Sequence, residues 1–440
     1  MARKKRKTDE VVEVVYGRCC GMDIHKDGIV ACLNIDGKRE VREYTTMTDD
    51  LLLLANWLKS SNVEMVAMES TGSYWKPIFN ILECEDVPAM LVNAQHVKTL
   101  SGTKTDRRDA KWLSGLLRHG LLKPSFVPTR NMRELRELIK YRISLTEEST
   151  RVLNRMEKVL QGANIKLSSV ISKTGTKTEL SIIKALSEGI YDPRILSEMA
   201  RGTLKNKKAE LARSLNGLMG EHQKTLLKSM HNHLERLNEE IASIESEIDK
   251  RMEKDNEVLE RLEEIPGVGK TTAQVILAEI GTDMEQFPNE KNLASWAGVC
   301  PGQNDSAGKR KSGRTRKGNS TLKKTLVQCA NSASRAKDSY LSTQYKRIAA
   351  RRGRKRANVA LAHTILVICY FMIRDGASYT DLGGDYFDKR NKTNLVHRSI
   401  KRLESLGYDV VIREKVADAP AHATVMGKPP DKSAKTVGVA

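Results

Sequence analysis

The chain has few aromatic residues, with 5 Phe, 11 Tyr and 4 Trp among 440. With so few π-faces, base-stacking platforms of the kind used by single-strand-binding proteins should be sparse. Cysteine is scarce too. The 7 thiols are odd in number and scattered, form no Cys-x-x-Cys pair, and include the neighbours Cys19 and Cys20. This argues against a disulfide framework and a structural zinc site, and reduced thiols in a cytosol fit best. Long apolar runs are missing as well. The longest, over residues 357–373, contains Asn358, His363 and Thr364 and is short for a bilayer span. No apolar segment follows the basic start, so a secretory signal is not expected and the chain reads as cytoplasmic, with no membrane partner.

What the chain has in excess is positive charge. It carries 75 Lys+Arg against 55 Asp+Glu, a formal net charge of +20. Such a chain is drawn to polyanions, and phosphate backbones are the usual partner. At 440 residues it is too long for one ordinary domain. Residues 1–10 are a basic arm, with Arg3-Lys4-Lys5-Arg6-Lys7. Residues 11–131 alternate strand and helix patterns. Strands are expected over 14–24, 28–35, 40–45, 64–68 and 89–92, and helices over 49–58, 74–82 and 106–117. Three meandering strands followed by alternating helices and strands are the order of an RNase-H-like α/β domain.

Residues 132–262 read as helical and charged. Leu227, Met230, Leu234, Leu237, Ile241, Ile244 and Ile248 recur at alternating steps of three and four, a heptad seam that predicts a coiled coil. Its partner is either a second chain or the helix near residues 145–160, folded back as a hairpin. Between them, residues 168–178 read as a loop. Residues 263–388 form a second unit, mainly α, and residues 389–440 a basic, partly disordered tail with an apolar patch at 406–412.

Carboxylates stand where chemistry needs them. Asp23 closes the first strand in Gly21-Met22-Asp23-Ile24-His25-Lys26. Glu69 closes Met65-Val66-Ala67-Met68, and Ser70-Thr71-Gly72-Ser73 after it reads as a turn and helix cap. Lys104-Thr105-Asp106-Arg107-Arg108-Asp109 then opens a helix, and Asp106 and Asp109, three apart, share one of its faces. Four carboxylates suit two Mg²⁺ ions, which take oxygen ligands, and two such ions promote phosphoryl transfer; Mn²⁺ is the alternative. Singly, each acid has a structural explanation: Asp106 can cap its helix, and Asp109 can pair with Arg108 or Lys111. The weight lies in the set.

Two segments suit phosphate. Ile265-Pro266-Gly267-Val268-Gly269-Lys270-Thr271 lacks the spacing of a nucleotide-binding P-loop but fits a helix-hairpin-helix turn, whose backbone N–H groups face a phosphate. Its helix is expected over 270–280, ended by Gly281. Residues 301–319 combine four glycines with Lys309, Arg310, Lys311, Arg314, Arg316 and Lys317. Glycine permits close backbone approach, and the cations stabilise both a phosphate and a serine alkoxide attacking it. Composition does not choose between Ser306 and Ser312. A second basic run holds Arg351, Arg352, Arg354 and Lys355 before an apolar helix, in which His363 reads as packed.

Assembled in this order, the motifs resemble those of the DEDD transposases of the IS110 insertion-sequence family, over most of the chain to about Asp388. The resemblance implies a RuvC-like domain holding Asp23, Glu69, Asp106 and Asp109, joined through a coiled coil to a serine-bearing, mainly α domain with a helix-hairpin-helix-like motif. It implies Ser306, in Asp305-Ser306-Ala307-Gly308, as a nucleophile forming a phosphoserine link to DNA; where many relatives have two adjacent serines, the first place here is Asp305. It further implies double-stranded DNA partners at element ends and target, a homo-oligomer (dimer or tetramer) sharing its sites across subunits, and a non-coding guide RNA. Nucleic-acid contacts are expected at Lys104, Arg107, Arg108, Gly267, Gly269, Lys270 and the two basic segments. The competing readings are a RuvC-like, metal-dependent junction nuclease without serine chemistry and a non-catalytic nucleic-acid scaffold.

Overall fold

Strand β1 (Arg18–Ile24) is buried along nearly its whole length, as is its antiparallel neighbour β2 (Gly28–Ile35). Asp36 and Gly37, both at positive φ, close the two-residue turn to β3 (Lys38–Thr45), an edge strand with a mostly exposed surface. This turn chemistry matches the right-handed twist of the flanking strands. The chain continues through α1 (Thr48–Ser60), β4 (Met65–Glu69), α2 (Trp75–Cys84), β5 (Ala89–Val92), α3 (Asp106–Arg118) and the short β6 (Pro124–Ser125). The six strands form one mixed sheet in the order β3-β2-β1-β4-β5-β6, with β1, β4 and β5 parallel. The computed structural model describes residues 13–70, 72–93, 105–302, 305–306, 309–310 and 313–412. The basic arm, Lys104, Lys311 and Ser312 lie outside them, as does the end of the tail.

The two faces of the sheet are covered differently. Leu51, Leu54 and Leu58 of α1 and Ile78 and Leu82 of α2 pack on Met22 and Met68. On the opposite face, Leu113 and Leu117 of α3 pack on Cys19, Ala67 and Val92. Gly21 makes that second contact close. A Cβ on Gly21 would lie 2.4 Å from the Ser114 amide nitrogen and 2.5 Å from the Ala110 carbonyl oxygen, so α3 rests on bare strand backbone.

Helix α4 (Arg130–Gly162) leads into a helical module of α5 (Lys177–Ser187), α6 (Pro193–Ser197) and α7 (Lys208–Ser214), and α8 (Glu221–Arg251) returns. The stretch expected as a loop begins as a 3-10 turn over Leu167–Ser169 and enters α5 at Lys177. Arg251 pairs with Glu134, and His233 with Glu148, so α4 and α8 run antiparallel. The heptad seam therefore has its partner within the chain. Leu227, Leu234 and Leu237 are buried with Leu145, Val152, Met156 and Leu160 of α4.

The last unit holds α9 (Asn256–Glu263), α10 (Lys270–Ile280), α11 (Glu290–Trp296), a small hairpin of β7 (Asp305–Ser306) and β8 (Lys309–Arg310), α12 (Ser320–Ala333), α13 (Tyr340–Arg352), α14 (Arg354–Asp375), α15 (Tyr386–Arg390) and α16 (Lys392–Glu404). Part of the expected tail is thus helical. Its core takes in Leu135 and Ile139 of α4 and Ile248 of α8, so the base of the helical hairpin is embedded in it. Phe126, just after β6, stacks edge-on with Phe287 and Trp296 in the same unit. Among the described residues α14 alone is long and apolar enough to cross a membrane, which corrects the expectation of too short a run. Leu361, Ile365, Leu366 and Cys369 of α14 are buried in the core. His363 is packed, its imidazole pushed below the usual range by burial.

Candidate active site

The acids converge because three elements end at one place. Asp23 is the sixth residue of β1, on the same face as Gly21 and Cys19, the face that α3 covers. Since Gly21 lets α3 lie against β1, the first turn of α3 reaches the Asp23 side chain. His25, two residues on, shares that face. Its Nε2 lies 3.3 Å from a carboxylate oxygen of Asp23 and 3.4 Å from one of Asp106. The three side chains offer ligand atoms within 4.8 Å of one another, a group able to hold a metal ion. Burial raises the Asp23 carboxyl above its ordinary range; His25 opposes this, and the negative charges of Asp106 and Asp109 add to it.

The other acids are placed as follows. Thr105, not Asp106, precedes α3, so the Asp106 carboxylate is not used up as a helix cap. Both Asp106 and Asp109 lie in the first turn, where the helix dipole favours negative charge. Glu69 ends β4, which is registered with β1 through Met22↔Met68, so Asp23 and Glu69 each stand one residue beyond that pair on neighbouring parallel strands. The Ser/Thr cap expected before α2 does not form; Tyr74 takes that position without a side-chain hydrogen bond. His25 was absent from the expected ligands. The alternation that puts Asp23 on the α3 face puts residue 25 there too, and that was the signal for it.

Several expected phosphate contacts have other partners here. Arg107 donates to Glu43 at 2.6 Å. Lys270 is paired with Asp249 of α8 at 2.7 Å, and Gln274 donates to the other oxygen of the same carboxylate. The buried Arg142 of α4 donates in turn to Gln274 at 2.6 Å. Lys270 thus belongs to a network that clamps α10 to the hairpin. Gly267, at φ 89°, occupies the third position of a turn closed by Val268 N–H on the Ile265 carbonyl. Pro266 before it completes the type II pattern. A Cβ on Gly267 would lie 2.5 Å from the Cys329 carbonyl oxygen, so this glycine serves close packing against α12. Gly269 has open space where a Cβ would stand.

The basic loop is anchored at both ends. Gly302 N–H donates to the Arg314 carbonyl, and Pro301 bridges to Thr315. The backbone of Ser306 pairs with Lys309, and that of Asp305 with Arg310; their side chains lie outside the described residues. At the far end, Asn319 caps α12 through Leu322 N–H and donates to Glu279 at 2.7 Å. Glu279, only 2% exposed, also faces Arg136 of α4 at 3.3 Å. Arg316 and Lys317 are exposed, as are Arg351, Arg352, Arg354 and Lys355 around Gly353, whose φ of 81° turns α13 into α14.

Comparison with known proteins finds two matching families. Residues 20–165 match the model of DEDD transposases of IS110 type, described as "Transposase", and residues 259–346 that of the "Transposase IS116/IS110/IS902 family", together more than half of the chain. Among curated proteins, the "Transposase for insertion sequence element IS1111A" of Coxiella burnetii is 26% identical over 384 residues, 86% of this chain and 94% of its own length. The "Insertion element IS110 uncharacterized 43.6 kDa protein" of Streptomyces coelicolor is 26% identical over 302 residues, 63% of this chain and 72% of its own. The "Transposase for insertion sequence element IS1328" of Yersinia enterocolitica is 33% identical over 106 residues, 24% of this chain and 31% of its own.

Proposed function

The chain belongs to the IS110 family of insertion-sequence transposases, enzymes that cleave and rejoin DNA, and on that premise we propose that Asp23, Glu69, Asp106 and Asp109 form its metal-dependent cleavage site and Ser306 its nucleophile. The observation that carries the reading is the convergence of Asp23, His25 and Asp106, with Asp109 near enough to act on the Asp23 charge. Two carboxylates and an imidazole are donors that Mn²⁺ accepts readily; Mg²⁺ would draw on the oxygens alone. A divalent ion held there supplies a Lewis acid for a phosphoryl oxygen.

The chain's own groups do the rest. Asp23, part-buried, and Asp106, at the N-terminus of α3, hold negative charge in place before any cation arrives. In the sequence, Lys309, Arg310, Lys311, Arg314, Arg316 and Lys317 follow Ser306 within eleven residues, and cations of this kind suit a serine attacking phosphate. In the proposed step the Ser306 Oγ bonds to phosphorus, the phosphorus–oxygen bond to one deoxyribose breaks, and that oxygen leaves as a hydroxyl, taking the serine proton. Attack by a second strand's hydroxyl on the phosphoserine reverses the exchange and releases the serine. The residues around Gly353 extend the phosphate-binding surface. Arg354, Lys355 and Arg356 crowd the first turn of α14, where the helix dipole disfavours cations, and a bound phosphate relieves that conflict. We also propose residues 11–131 and 263–388 as the two catalytic units, joined by 132–262, and a guide RNA as a second polyanion for the basic surface.

A denaturing gel tests the proposal. Wild type with Mg²⁺ and labelled DNA carrying the element junction is expected to give a covalent protein–DNA band that Ser306→Ala lacks. Cleavage by both without the band would replace serine recombination with metal-dependent nuclease action.

A further inference from the structure

An open cleft of about 590 Å³ lies beside Asp106 and His25. That is within the range of clefts that take small ligands, roughly 300–1,000 Å³. The turn between β1 and β2, residues 25–28, lines one side, and Tyr44 and Tyr74 line others. Tyr74 is 45% exposed, in a chain with few aromatic residues. Its ring rests against Gly72, where a Cβ would stand 3.7 Å from the Tyr74 Cδ2. Gly72 has a φ of 59° and belongs to the turn that follows Glu69, so the placement of the ring is tied to the end of β4.

The lining restricts what can enter. One edge is the acid–imidazole group, suited to a cation and through it to a phosphate. The Glu43 carboxylate on the wall is already engaged by Arg107. Lys26 adds an ammonium group at the turn. The remaining wall holds the half-exposed ring of Tyr74, Tyr44, and the apolar Ile29 and Val30, with the exposed Asp27 carboxylate at the turn. A ligand that combines phosphate with a flat heterocycle satisfies all of these, and a base paired within a duplex cannot present its face to the ring. We propose that the cleft receives one unpaired deoxynucleotide next to the phosphate being cut, its base laid on Tyr74 and its phosphate near Lys26. This deepens the proposed function and rests on Asp23 and Asp106 being metal ligands.

The test uses the full chain in Ca²⁺ and a DNA duplex ending in a short single-stranded flap that carries 2-aminopurine, whose fluorescence is quenched by stacking. Wild type and Tyr74→Phe are expected to quench it alike. Tyr74→Ala and Tyr74→Leu, the latter keeping apolar bulk without a π-face, should weaken the quench-detected affinity about 5- to 150-fold. Tyr191→Ala, which removes an exposed ring of the helical module, should match wild type. Equal quenching titrations for Tyr74→Leu and wild type would overturn the proposal, as would dependence on Tyr74 for an RNA flap but not for the DNA one. Mn²⁺ binding followed by electron paramagnetic resonance separates the two readings. If Asp23→Asn loses Mn²⁺ while Tyr74→Leu quenches normally, the cleft proposal alone fails. If Asp23→Asn binds Mn²⁺ as wild type does, the metal reading falls and takes the cleft with it.

Discussion

Asp23 and Gly21 occupy one strand face and divide the work between chemistry and access. Asp23→Asn is expected to abolish metal-dependent cleavage and to leave DNA binding in gel-shift assays intact. The loss should exceed the roughly 10- to 100-fold caused by removing a group that merely orients a metal ligand. A loss of binding instead would make Asp23 a structural acid. Gly21→Ala acts one step removed. Its methyl group would meet backbone of α3 at 2.4 and 2.5 Å, neither of which can swing aside like a side chain. Overpacking of this kind costs about 1–3 kcal/mol, read by denaturant unfolding, and α3 should carry Asp106 away from Asp23 so that Mn²⁺ affinity falls as well. The acids themselves were legible in the sequence because strand ends and helix starts are local patterns. The partners of Arg107 and Lys270 were not, since Glu43 and Asp249 are distant in sequence and no local pattern reports a long-range ion pair.

The elements followed the sequence closely where the periodicity was clean. The strands expected at 28–35 and 89–92 and the helix at 270–280 form with those bounds. The heptad seam was equally clear, but a seam does not name its partner, and here the partner is α4. Leu234→Ala should therefore cost about 2–5 kcal/mol in denaturant unfolding while leaving the native mass of the particle unchanged. A fall in mass would place a second chain on the seam. Glu179, in the first turn of α5, is buried, and burial raises its carboxyl above the usual 4.5 despite hydrogen bonds from backbone amides. A carboxyl raised in the folded state favours folding at low pH and loses that advantage as pH rises through the raised value. Glu179→Gln keeps an acceptor for the Gly175 amide. It is expected to melt above wild type at neutral pH, with the difference closing as pH falls toward 4.5.

For the molecule as a whole, a net charge of +20 sets the scale of its attraction to nucleic acid. Each phosphate neutralised contributes about 0.9 to the slope of log affinity against log salt on duplex DNA. Replacing Arg316 and Lys317 with Gln should lower that slope by about 2 if both meet phosphate; an unchanged slope would move the phosphates elsewhere. The division of the molecule was less legible than its elements, because the apolar residues at the base of the helical hairpin carry no mark of the unit they serve. Leu135 and Ile139 lie in the same core as Met372. During synthesis that core cannot close until residue 372 has left the ribosome, roughly 10–50 s after residue 139 at ordinary elongation rates. The sheet and the helical module can fold in that interval, whereas the foot of α4 waits uncovered on the nascent chain. The newborn transposase thus carries an uncovered apolar foot on α4, a surface prone to aggregation, until the late helices arrive to cover it.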